Sequence, residues 1–222
     1  METGYQTNRS LYRAAFALSV FTIVYNLAEG AISTFFGYED EALTLFGFGL
    51  DSFIETISAL GVAHMIIRIR QNPNSSRDRF EITALKITGY SFYALCALLA
   101  LMATMRVIDG KQPESTFWGI VVSSVSIAVM LLIIYWKTLL GKKLYSSPLV
   151  ADANCAKVCV YMSIVLLISS FLYEQFGIPY VDIAGTGGLI YFSIKEGREC
   201  FDKAKGIATC NCSEVEGTPS CG

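Results

Sequence analysis

Gly49-Leu50-Asp51-Ser52-Phe53-Ile54-Glu55 places two carboxylates inside a run, residues 42–69, that is otherwise mostly apolar. Residues four apart stack on one face of a helix, so Asp51 and Glu55 point the same way. A second stretch repeats the spacing with sulfur: Ala151-Asp152-Ala153-Asn154-Cys155-Ala156-Lys157-Val158-Cys159. There Asp152, Cys155 and Cys159 follow i, i+3, i+7 and form one polar stripe. Two carboxylates facing two thiols make a four-coordinate donor set suited to a soft or borderline divalent cation.

The surroundings of these stretches imply a bilayer. The chain has 222 residues, of which 53% are hydrophobic and only 16% charged, with a mean hydropathy of +0.48. Soluble domains carry about 25% charged residues. The apolar residues gather into six runs, 11–36, 42–69, 82–108, 116–136, 148–176 and 180–200, each at or beyond the ~20 residues that cross the hydrocarbon. The expected fold is an all-α polytopic membrane protein with six transmembrane helices. Residues 1–205 form the six-helix domain, its first ten residues polar and without a structural signal. Residues 206–222 form a short, disordered, Cys-containing tail.

Six spans put both termini on one side of the membrane. Arg9, Arg13, Arg68, Arg70, Arg77, Arg79, Lys86, Lys137, Lys142, Lys143, Lys195, Arg198, Lys203 and Lys205 fall on that side, fourteen of the 17 basic residues. Arg106 and Lys111 fall on the other, and Lys157 lies within the fifth run. The positive-inside rule makes both termini cytoplasmic, and the plasma membrane is the expected location. In that reducing compartment the cysteines are free thiols rather than disulfides. The chain has no phosphate-binding loop, dinucleotide fingerprint or nucleophile elbow. That argues against an enzyme or an ATP-driven pump; no cofactor and no nucleic-acid partner are expected.

An ionisable side chain deep in a bilayer costs at least ~2.5 kcal/mol and generally faces a cavity or a partner. Asp51 and Glu55 lie about 14 and 20 Å into the second run from its outer end, at 1.5 Å per residue. Cys155 and Cys159 enter from the opposite end of an antiparallel helix, so the two pairs reach comparable heights. Other readings exist: a buried Cys serves as a small apolar residue, and two carboxylates can be an inter-helix hydrogen-bonding pair. A redox role for the two thiols fits disulfide geometry poorly.

Further candidates sit around this set. Lys157 lies about 200° around its helix from Cys155, which turns it away from the thiols and toward an ion pair with Glu29 or Asp182. Asp182 either caps the sixth helix or lines an exit path. His64 is expected at the interface beside Arg68. Cys200, Cys210, Cys212 and Cys221 either capture a soft metal from the cytoplasm or are incidental thiols.

The stretch from Ala42 to Glu55 resembles the second-helix motif of the cation diffusion facilitator family of metal/proton antiporters. The stretch from Ser147 to Cys159 resembles its fifth-helix motif. The resemblance sets Asp51 and Glu55 on the first pair of metal ligands, Cys155 on a histidine and Cys159 on an aspartate. Glu29, Arg79-Phe80-Glu81 and Tyr180-Val181-Asp182 also resemble family positions. It implies secondary-active efflux of a divalent or soft heavy-metal cation by proton antiport, in a homodimer. Departures are Phe48 in place of an acidic residue, the missing ferredoxin-like cytoplasmic domain and the absence of a His-rich loop. The thiols shift the expected cargo from zinc toward cadmium, mercury or copper(I). Because thiolates bind metal and a free Cys has a pKa near ~8.5, loading releases protons. The competing reading is a transport-inactive membrane protein that binds metal as a sensor or partner subunit.

Overall fold

Every apolar run of the sequence forms a helix in the computed structural model, which describes residues 2–71, 79–144, 147–178 and 180–205. The helices are α1 (Glu2–Glu39), α2 (Leu43–Gln71), α3 (Arg79–Asp109), α4 (Phe117–Lys143), α5 (Ser147–Phe176) and α6 (Val181–Ala204). Five are long and apolar enough to cross a membrane: Leu11–Glu39, Leu43–Arg68, Arg79–Asp109, Phe117–Lys143 and Ala156–Phe176. The sixth expected span is not among them. Helix α6 buries Asp182, Thr186 and Ser193 and carries Lys195, Glu196, Arg198 and Glu199, which lowers its hydropathy.

Two helix ends correct the expectation. Helix α1 starts at Glu2, not near Leu11; no proline interrupts the first ten residues, and extending an existing helix fixes only one more residue per hydrogen bond. Helix α4 runs on to Lys143, so Lys137 is not in the fourth-to-fifth link. It is a helical residue only 5% exposed. That removes one residue from the basic side without reversing the asymmetry.

Helix α2 is the hub, packed against all five others, while α1 lies along α2, α4 along α5 and α3 along α6. Leu45, Phe48, Leu99, Met162, Leu166 and Leu189 form the centre of the main apolar core. Large side chains such as Phe21, Val24, Phe35, Ile108, Leu132 and Tyr191 point outward, as expected where the surroundings are lipid rather than water. Helices α1 and α2 approach closely at glycines: a Cβ on Gly49 would stand 2.5 Å from the Thr34 backbone nitrogen, and one on Gly30 would stand 3.1 Å from the Gly49 carbonyl oxygen. Small residues at a crossing let helix backbones touch in a bilayer, where apolar burial gives no drive to associate.

Polar contacts tie the helix ends. Asp182 does not cap its own helix, whose N-cap, Tyr180, is left-handed with φ 64°. Its carboxylate instead accepts the backbone N–H groups of Leu43 at 2.8 Å and Thr44 at 3.1 Å. It therefore caps α2 from a distant part of the chain, meeting the unpaired N–H groups and positive dipole of that helix start. At the same end Arg106 donates to the Glu41 carbonyl, and the Glu114 N–H donates to the Asp40 carbonyl at 2.9 Å. Burial, followed by the nearby carboxylates of Glu114, Glu174 and Glu39, holds the Asp40 carboxyl above the ordinary range. At the opposite end Arg68 grips Glu81 through Nε at 2.6 Å and a second guanidinium nitrogen at 3.0 Å. His64 approaches the same carboxylate at 3.7 Å and rests on Phe80, ring centroids 4.7 Å apart.

Candidate functional site

Near the middle of α2, Glu55 is held from both sides. The Cys159 thiol of α5 donates to Glu55 Oε1 at 2.5 Å. The Asn26 amide of α1 donates to Glu55 Oε2 at 3.2 Å. An acid on the second helix thus meets a thiol on the fifth across 104 positions of sequence. Glu55 and Cys159 are half-buried, as is Tyr25, whereas Asn26, Glu29, Ser52 and Ser163 are buried.

The polar layer around the pair is built by helical spacing. One turn from Asn26, Glu29 accepts from the Tyr25 hydroxyl at 2.7 Å and from Ser52 of α2 at 3.0 Å. One turn from Cys159, the Ser163 hydroxyl donates to the Cys159 carbonyl at 2.8 Å and lies 3.0 Å from the Ser126 hydroxyl of α4. Asn26, Glu29, Ser52, Ser126 and Ser163 are all buried. The Ser52–Glu29 and Ser163–Ser126 bonds fix side chains one turn from the pair, as a polar network must when water is excluded. The charge of Lys137, buried on α4, also reaches Glu55.

Among the described residues Asn26 Oδ1 in this layer and Asp51 Oδ1, one turn before Glu55 on α2, are buried without hydrogen-bond partners. Buried oxygens in that condition mark a strained, hydrated or ligand-binding position. The amide oxygen of Asn26, the carboxylate of Glu55 and the sulfur of Cys159 together supply one donor each from α1, α2 and α5. Among the described residues no three His, Cys, Asp or Glu side chains converge on a metal position, so Asp51 does not complete a cluster with Glu55 and Cys159. The side chains of Cys155 and Asp152 lie outside the described residues, as do Cys210, Cys212 and Cys221.

Two other expectations change. Lys157 is exposed, and neither Glu29 nor Asp182 takes it as a partner among the described residues; Glu29 is occupied by hydroxyls and Asp182 by the start of α2. Cys200 does not belong with the tail thiols: it sits inside α6 at 3% exposure, within the main core. Tyr25, Ser52 and Ser163 were not singled out from the sequence, although each stands one helical turn from an ionisable or thiol residue (Tyr25 and Glu29, Ser52 and Glu55, Ser163 and Cys159). Glu196, whose Oε1 is buried and without a hydrogen-bond partner among the described residues, gives no such signal in the sequence.

No family model matches the chain. The chain is 28% identical over 172 residues to a protein of Methanocaldococcus jannaschii named an uncharacterized transporter, an alignment that covers 75% of this chain and 60% of that protein. The chain thus spans about 60% of that relative's length. With five helices apolar enough to span a bilayer, the architecture has a plain consequence. This is a multi-pass membrane protein.

Proposed function

We propose that the protein is a secondary-active transporter that moves a soft or borderline divalent cation across the membrane in exchange for protons, as the cation diffusion facilitators resembled by its second and fifth helices do. The observation that carries this reading is the contact between the Cys159 thiol and the Glu55 carboxylate. A thiol hydrogen-bonded to a carboxylate at membrane depth holds a proton that an arriving cation must displace, because the thiolate is the metal ligand. Loading with metal therefore expels protons from the pair, and reprotonation releases the metal. Similarity to a transporter supports movement of a solute. The sulfur and carboxylate donors support a thiophilic cargo such as cadmium or zinc over calcium or magnesium.

In this reading α6 serves as a sixth span and both termini are cytoplasmic, supported by the basic residues at that side. Cys155 stands four residues before Cys159 in the sequence, and this reading counts it as a second sulfur donor. Reconstitution in proteoliposomes with a lumenal pH indicator tests the proposal. Cd²⁺ uptake accompanied by opposing proton flux is expected in the parent, with both lost in Cys159→Ala and Glu55→Gln. Cd²⁺ movement without proton flux would end the exchange mechanism, and equal movement in the Cys159→Ala variant would end the site.

A further inference from the structure

The seam between α2 and α6 has a register that can be read from its contacts. Thr44 Oγ1 lies 3.1 Å from Thr186 Oγ1, 142 positions apart. A Cβ on Gly47 would touch Leu189 at 3.4 Å, the same separation one turn further along. The offset is constant, so the two helices run parallel. Another turn along the same faces brings Asp51 level with Ser193, and Glu196 lies a further turn beyond.

The two side chains placed level by this register have the same defect. Asp51 is 2% exposed and Ser193 0%, yet among the described residues Asp51 Oδ1 and Ser193 Oγ each lack a hydrogen-bond partner, as does Glu196 Oε1. Helix α3 closes the third wall, with Leu99 against Gly47 and Cys96 donating to the Ile190 carbonyl at 3.6 Å. The carboxylates of Glu55, Glu196 and Glu29 all lie within electrostatic reach of Asp51. On its own helix the charges nearest Glu196 are those of Lys203, Glu199 and Lys195. Three inward oxygens without partners, two of them from carboxylates, call for a ligand that is positive and hard, because the donors are oxygens alone.

We propose that Asp51, Ser193 and Glu196 form a second, all-oxygen cation subsite in the seam of α2 and α6, separate from the Glu55–Cys159 pair, which takes a hard or partly hydrated divalent cation. The subsite stands on this geometry; its use as a waypoint toward Glu55 and Cys159 rests on the transport reading. The two sites sort cations by softness. Asp51, expected beside Glu55 in one four-ligand set, serves the oxygen site instead.

Mn²⁺ and Cd²⁺ as separate probes test this. Purified full-length protein in detergent, with Cys210, Cys212 and Cys221 replaced by Ser throughout, is titrated with Mn²⁺ followed by electron paramagnetic resonance and with Cd²⁺ followed by calorimetry. Glu196→Gln is expected to weaken Mn²⁺ at least tenfold and Ser193→Ala several-fold, each leaving Cd²⁺ within twofold; Cys159→Ser does the reverse. Retained Cd²⁺ binding also shows that the variants are folded. Absence of Mn²⁺ binding in the parent, an unchanged Mn²⁺ affinity in Glu196→Gln, or equal loss of both ions in that variant overturns the proposal. Loss of Cd²⁺ binding in the parent with Mn²⁺ binding intact defeats the transport reading and leaves the subsite standing.

Discussion

Replacing Asp182 should unseat the start of α2, the helix on which every other helix leans. Its carboxylate accepts two buried backbone N–H groups, Leu43 at 2.8 Å and Thr44 at 3.1 Å. Hydrogen bonds to a charged acceptor contribute about 1.5 to 3 kcal/mol each, so Asp182→Ala should cost about 3 to 6 kcal/mol. Asp182→Asn keeps one acceptor oxygen and loses the charge, and should cost about half as much. Thr186→Val, which removes a hydroxyl that touches Thr44 and donates to the Asp182 carbonyl, should cost about 1 to 2 kcal/mol. Reversible unfolding with a denaturing detergent gives all three values against the parent. An Asp182→Ala protein within 1 kcal/mol of the parent, or one more stable than Asp182→Asn, would refute the capping argument.

Other consequences are equally open to measurement. Glu81→Ala leaves Arg68 partly buried without its carboxylate, and should lower stability by about 2 to 4 kcal/mol in the same unfolding assay. Gly49→Ala forces a methyl toward the Thr34 nitrogen, spreading α1 from α2; Cd²⁺ affinity should fall several-fold in calorimetry as Asn26 is drawn from Glu55. Asp40→Asn should raise the melting temperature at pH 7 and leave it unchanged near pH 3. The sign follows from the raised carboxyl of Asp40: the folded state disfavours its charged form, so the penalty is present above the folded pKa and vanishes below the unfolded one. A melting shift that is as large at acid pH would contradict this.

Helix number and type were legible because each apolar run exceeds a bilayer-crossing length without an internal proline to break it. Glu55 and Cys159 were legible as candidates because ionisable and thiol groups stand out against such runs. What spacing along one helix cannot tell is which partner a side chain finds on another. Asp182 opens α6, yet its nearest unpaired donors belong to α2, a pairing of residues 139 positions apart. Lys137 looked like part of a loop because Lys142 and Lys143 follow it closely, but the helix carries it into the bundle. Glu196 was hidden among the charges at the end of α6, where one carboxylate among lysines and arginines looks solvated. Its burial becomes visible only when the offset between α2 and α6 is known. Asn26 illustrates the opposite case: a lone amide in an apolar run was visible, but its bond to Glu55 depended on the glycine crossing that brings α1 onto α2.

The most direct test of the joint thiol and carboxylate site is the ultraviolet sulfur-to-cadmium charge-transfer band, recorded as Cd²⁺ is added to protein whose tail cysteines have been replaced by Ser. The band should grow to saturation in this parent, need at least ten times more Cd²⁺ in Glu55→Gln, and fall markedly in Cys159→Ser. A titration that is the same in all three proteins would mean that Cys159 and Glu55 do not share a cation.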